Sequence, residues 1–109
     1  MNYEEMSDLQ VNLLVANAIG VDAAENSGVV FGAVKHEGEN VVSVIGVVDY
    51  CNNPSDAWPI IYDNHISIIN DYGWGACHRR TGIESSMHVN PLRAAMIVFL
   101  MIGDAKNAD

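Results

Sequence analysis

The run Asn90-Pro91-Leu92-Arg93-Ala94-Ala95-Met96-Ile97-Val98-Phe99-Leu100-Met101-Ile102-Gly103 sets the strictest limit on what this chain can fold into. Asn90 is a good N-cap, because its side-chain oxygen can accept a free amide of the first turn. Pro91 then falls at the first helical position, where a missing N–H costs nothing. Gly103 can take the left-handed conformation that closes a helix. Between these signals every residue except Arg93 is apolar. Leu92, Ala95, Met96 and Phe99 form one helical stripe, and Ile97, Val98, Leu100 and Met101 cover the other faces. A helix that is apolar all round is buried. The run is far short of the ~20 residues needed to cross a bilayer. It therefore predicts a central core helix on which everything else must pack.

The 109 residues fit one domain, 1–109, able to bury a core without disulfides or metals. Residues 1–6 and 104–109 are expected to fray. Ser7-Asp8-Leu9-Gln10 has the form of a capping box. Val11, Leu14, Val15 and Ala18 follow at helical spacing and Gly20 ends the run, so a first helix is expected at about 8–19, with Gln10, Asn12 and Asn17 on its wet face.

Residues 21–27 read as a connector. The β-branched run 28–34 reads as a strand, 36–40 as a turn, and Val41–Val48 as the strongest strand of the chain. Both faces of 41–48 are mostly apolar, so it is expected to be central and covered on both sides. A hairpin of 29–35 with 41–48 is the simplest pairing. Residues 49–56 read as loop, with at most one helical turn over 54–57. Pro59 is expected to block any longer helix. Ile60–Tyr62 is expected to form a short edge segment, 65–69 a strand, 70–73 a turn, and 74–77 a strand pairing back. Residues 78–89 have no periodicity and predict a mobile loop. The fold class is α+β: one mainly antiparallel sheet of about four strands, packed with an N-terminal and a C-terminal helix. Leu14, Val44, Ile45, Trp58, Ile60, Trp74, Ala95, Met96 and Phe99 are expected in the core.

Fourteen acids oppose five Lys and Arg, for a net charge of −9. Such a surface repels nucleic acid phosphates and anionic membranes, so neither is expected as a partner. Its plain meaning is solubility. Its sharper meaning is a DNA mimic, with Glu4, Glu5, Asp8, Asp22, Glu37 and Glu39 in rows at phosphate-like spacing. Two cysteines without an export signal in the acidic start predict reduced thiols in a cytoplasm. Cys51, Cys77, His36, His65, His78 and His88 lack the close pairs of a preorganised zinc site, so no metal is expected. No Gly-x-Ser-x-Gly elbow or phosphate-cradling loop is present, and no cofactor is expected. A Cys51 nucleophile paired with His65 or His88 is the third and least favoured reading. An inert buried thiol is the ordinary role of such a cysteine.

The segment Asp49–Ile61 is the most individual in composition. It joins Asp49, Tyr50, Asn52, Asn53, Asp56 and Trp58 in a loop fixed by two prolines, as a recognition loop could. The bland alternative is that Trp58 and Ile60 plug the end of the core. This segment, with Trp74-Gly75-Ala76 and Asn90-Pro91-Leu92-Arg93-Ala94-Ala95-Met96, resembles the small phage and prophage NinX-like proteins. The likeness spans most of residues 7–103. In one place the chain departs: that family often carries Gly-Gly before Pro-Ile-Ile, where this chain has Ala57-Trp58. The resemblance brings no catalytic residues. It implies an accessory phage role in the host cytoplasm, for a family without an established function.

The leading expectation is therefore a non-enzymatic phage accessory protein that binds a host or phage protein. A homodimer is also expected, because something must cover the Ile97, Leu100 and Met101 face of the core helix.

Overall fold

Helix α3 (Pro91–Asn107) is the centre of the molecule. The computed structural model describes residues 2–35 and 42–107, so the turn expected at 36–40 lies outside the described residues. Asn90 caps α3: its Oδ1 accepts the Leu92 amide at 2.9 Å and the Arg93 amide at 3.3 Å. Ala94, Ala95, Met96, Ile97, Val98, Leu100 and Ile102 are buried. The helix does not stop at Gly103, because glycine permits a left-handed cap without forcing one. Residues 104–107, expected to fray, form its last turn, and Asp104 accepts a hydrogen bond from the Tyr3 hydroxyl.

Helix α1 (Asp8–Ala18) opens on the expected capping box. Ser7 Oγ accepts the Gln10 amide at 3.2 Å, and Gln10 Oε1 accepts the Ser7 amide at 3.0 Å. Val11, Val15 and Ala16 are buried, and the helix packs on α3. Asn12, expected on the wet face, is buried too.

The first sheet is antiparallel in the order β1-β2-β3, with β1 at Asp22–Asn26, β2 at Val29–Lys35 and β3 at Val42–Val48. The hairpin of β2 with β3 is as expected. The connector is not: 21–27 carries strand β1. It has no β-branched residue between Asp22 and Asn26, so its own propensity is silent. The Ser27-Gly28 turn holds it on β2, with φ of +56° and +82° at the two residues, the conformation two-residue hairpin turns require. Strand β3 is an edge, not the centre. Its pairing passes from Gly32↔Gly46 to Ala33↔Val44, which leaves Ile45 as a bulge. A bulge moves the side-chain alternation by one residue, so no single period-two pattern can run through the strand.

Helix α2 (Pro54–Asp63) follows the loop, and then β4 (Ser67–Asn70), β5 (Trp74–His78) and β6 (Ile83–Glu84) form a second antiparallel sheet. The architecture is α+β as expected, but the described residues form six strands in two sheets, not about four in one. Helix α3 packs on all three strands of the second sheet and on α1 and α2. Segment 78–89 contains β6 and a bridge in which Trp74 and His88 exchange amide–carbonyl bonds of 2.8 and 2.7 Å. Of the expected core, Ile60, Ala95 and Met96 are buried, while Leu14, Trp74 and Phe99 are half-buried. Trp58 is 57% exposed. The expectation for Val44 and Ile45 falls on side chains outside the described set.

Candidate functional site

The loop from Asp49 to Asn53 turns mostly inward. Asp49 Oδ1 accepts from Asn12 Nδ2 at 2.9 Å, and both its carboxylate oxygens accept from Asn52 Nδ2 at 3.1 and 3.2 Å. Asn12 Oδ1 accepts the Cys51 amide at 3.0 Å. Asn90 Nδ2 donates to the Cys51 carbonyl at 2.6 Å and to Asn52 Oδ1 at 2.9 Å. Arg93, the one charged residue of the apolar run, donates to Asp8 Oδ1 at 2.7 Å and to the Met6 carbonyl at 2.5 Å. This clasp ties α1, the loop and the start of α3 together. The side chain of Tyr50 is buried, and its hydroxyl is pushed above the usual phenol range by burial and then by the nearby Asp56 charge.

The loop then launches α2. Asn53 caps it by accepting the Ser55 amide at 3.0 Å, and Pro54 stands in the first turn. Pro59 sits inside the helix, which the sequence was expected to forbid. Its ring and the Ser55 carbonyl it leaves without an amide donor lie on an exposed face, where water can serve the carbonyl. The opposite face buries Ala57, Ile60 and Ile61 in the core, which holds the helix together across the proline. Ile60–Tyr62, expected as an extended edge, is therefore helical.

The outer face of α2 inverts the ordinary pattern. Ser55, Trp58, Pro59 and Tyr62 share helical spacing and are all exposed. An outward helix stripe is ordinarily charged or polar. Here Trp58 is 57% and Tyr62 71% exposed, one turn apart and with Pro59 between them. Of the six residues expected to form a recognition loop, Asp49 and Asn52 build the clasp, Asn53 the cap, and Tyr50 is buried in the core. Asp56 accepts the Asp49 amide at 2.9 Å. Trp58 alone faces outward as a large apolar group. Tyr62 was missed, because reading Pro59 as a helix stop hid its one-turn spacing from Trp58.

Burial pushes the Cys51 thiol up to about 12, with Asp8 raising it, Arg93 lowering it and Asp49 raising it further. An activated nucleophile is shifted the other way. His88 Nε2 lies 2.6 Å from Glu4 Oε2, and His65 lies beyond the end of α2. Among the described residues no group of three His, Cys, Asp or Glu is placed to hold a metal ion. Two of the acids named for a phosphate-like row are taken up inside the chain. Asp8 pairs with Arg93, and Glu4 meets His88 and accepts the Ser86 amide at 3.2 Å. Glu37 and Glu39 lie outside the described residues. No helix of the described residues is long and apolar enough to cross a membrane.

A sequence model of the family described as "Bacteriophage P22, NinX" matches residues 2–102, which takes in the clasp, all of α2 and most of α3. No curated protein and no solved structure matches the chain.

Proposed function

Since the chain belongs to the bacteriophage P22 NinX family and is thus a phage accessory protein, we propose that it acts in the host cytoplasm by binding a host or phage protein through the outer face of α2. The observation that carries this reading is the exposed stripe of Trp58, Pro59 and Tyr62. Tryptophan and tyrosine are the side chains that most often anchor protein interfaces, because each buries a large rigid area and keeps a polar tip. The clasp beneath supports the same reading. It fixes the start of α2, so little conformational freedom is lost when a partner docks. The net charge of −9 sets the character of the partner: an apolar socket with a basic rim, met faster at low salt.

A photo-reactive amino acid placed at Tyr62 tests this in infected cells. It is expected to cross-link one phage or host protein, while the same group at the exposed Asn17 of α1 captures none. Equal yields from the two positions would overturn the assignment of the face.

A further inference from the structure

Positive charge is scarce in this chain, with five Lys and Arg against fourteen Asp and Glu, and two of the five line one place. Arg93 is spent on Asp8 and on backbone carbonyls. Arg80 and Lys106 instead line one groove of about 430 Å³, and His65 and His78 line it with them. Asp63 is the one acid on its wall among the described residues, and the buried Ile102 lies at its base. Three elements meet there: the exit of α2, the turn between β5 and β6, and the last turn of α3.

Part of this charge answers the carbonyl ends of α2 and α3, where cations are favoured. That accounts for His65 and Lys106. It does not account for His78 and Arg80, which stand at a strand end and in a turn. His65 is held at a φ of +55°, a left-handed conformation uncommon for a residue with a side chain. It closes α2: the His65 amide donates to the Tyr62 carbonyl at 3.3 Å and the Ile66 amide to the Ile61 carbonyl at 3.1 Å, so this conformation belongs to the helix end. Thr81 orients His78: its hydroxyl donates to the His78 carbonyl at 3.3 Å and lies 2.8 Å from Nδ1. With its proton committed there, the hydroxyl accepts from Nδ1–H, and Nε2 is the ring atom left for a ligand. That atom becomes a donor when the ring is protonated.

We propose that this groove binds a small phosphate-bearing molecule. The planar fork of Arg80 matches two phosphate oxygens, and Lys106, His65 and His78 supply point donors around it. A volume of about 430 Å³ is that of a small-molecule site and exceeds what a lone ion fills. Duplex nucleic acid is a poor occupant for a chain of net charge −9. The groove and the aromatic face of α2 share no residue, so the two proposals stand or fall separately.

Titration of isotope-labelled protein with sodium pyrophosphate, followed by NMR, tests the site. Sodium sulfate and sodium chloride at matched ionic strength serve as controls. Saturating shifts are expected at His65, His78, Arg80 and Thr81, with a Kd below about 1 mM. Arg80→Gln, at an exposed turn, should weaken binding about tenfold. Asp63→Asn should tighten it, a gain that a damaged fold cannot produce. Three results would overturn the proposal: shifts that follow ionic strength alone, an affinity indifferent to Arg80→Gln, or a single-stranded oligonucleotide that displaces pyrophosphate at far lower concentration.

Discussion

The carboxamide of Asn12 is nearly sealed from solvent and bonded at both ends, to the Asp49 carboxylate and to the Cys51 amide. Asn12→Ala would strand the Cys51 N–H in a buried place and leave Asp49 short of a donor. Leaving a buried donor without a partner costs about 1–3 kcal/mol. Urea unfolding is therefore expected to show a loss of at least about 2 kcal/mol, and a loss under ~0.5 kcal/mol would contradict the clasp. Cys51 and Tyr3 carry the second expectation at this scale. Burial lifts the Cys51 thiol from 9.0 to about 12. Burial, and then the hydrogen bond and charge of Asp104, lift the Tyr3 phenol from 10.0 to about 12. Both groups hold their protons more tightly in the folded chain. The stability they contribute is full below pH 9 and is lost as pH rises toward about 12, because the unfolded chain releases those protons first. Unfolding free energy measured against pH should fall over that window, and Cys51→Ala should make the fall shallower. An unchanged slope would show that the thiol titrates normally. Arg93 was legible as the odd charge in an apolar run, and Asn90 as a cap. Asn12 was not, because an Asn at wet-face spacing gives no sign that a distant loop will fold over it.

At the scale of elements, the positions that mattered are those where local rules meet tertiary packing. Strand β1 has no strand propensity and exists through its pairing with β2 and the left-handed Ser27-Gly28 turn. Helix α2 carries a proline that local rules take as a stop. It persists because Ala57, Ile60 and Ile61 are buried on one side while Pro59 faces solvent on the other. Pro59→Ala restores an amide opposite the Ser55 carbonyl, so thermal unfolding is expected to show a gain of about 1 kcal/mol or more. A loss would mean that the proline ring supports the fold. Helix α3 was legible almost whole, since its N-cap, its Pro91 and its all-round apolar surface are properties of the segment itself. Met96→Ala, at a fully buried site, should cost about 2–5 kcal/mol, and Phe99→Ala less, because that ring is only half-buried. Equal costs would place Phe99 deeper than its half-buried environment allows.

For the whole molecule, the question is what covers α3 and what stays uncovered. Of the face for which a second copy was expected, Ile97 and Leu100 are buried within one chain and Met101 is half-buried. The second sheet and helices α1 and α2 share that task. A count of strands from sequence could not show it, because the break between the sheets lies in how α2 packs. Sedimentation equilibrium at micromolar concentration tests the expected second copy: a mass near 11.8 kDa would show that one chain covers the helix by itself. Twice that would direct attention to Phe31 and Val47, cross-strand neighbours that are 43% and 55% exposed on the first sheet. The aromatic face of α2 is the larger departure from an ordinary surface, and it was half legible. Trp58 was singled out from sequence, but its direction depended on a helix that Pro59 concealed. The decisive measurement is affinity capture from infected cells at high salt, with the native protein beside a Trp58→Ala/Tyr62→Ala variant of unchanged thermal stability. Losing two such anchors typically weakens binding by at least about 2 kcal/mol each. The native protein should retain a phage or host partner that the variant loses, and an equal yield from both would contradict the assignment of α2 as the binding face.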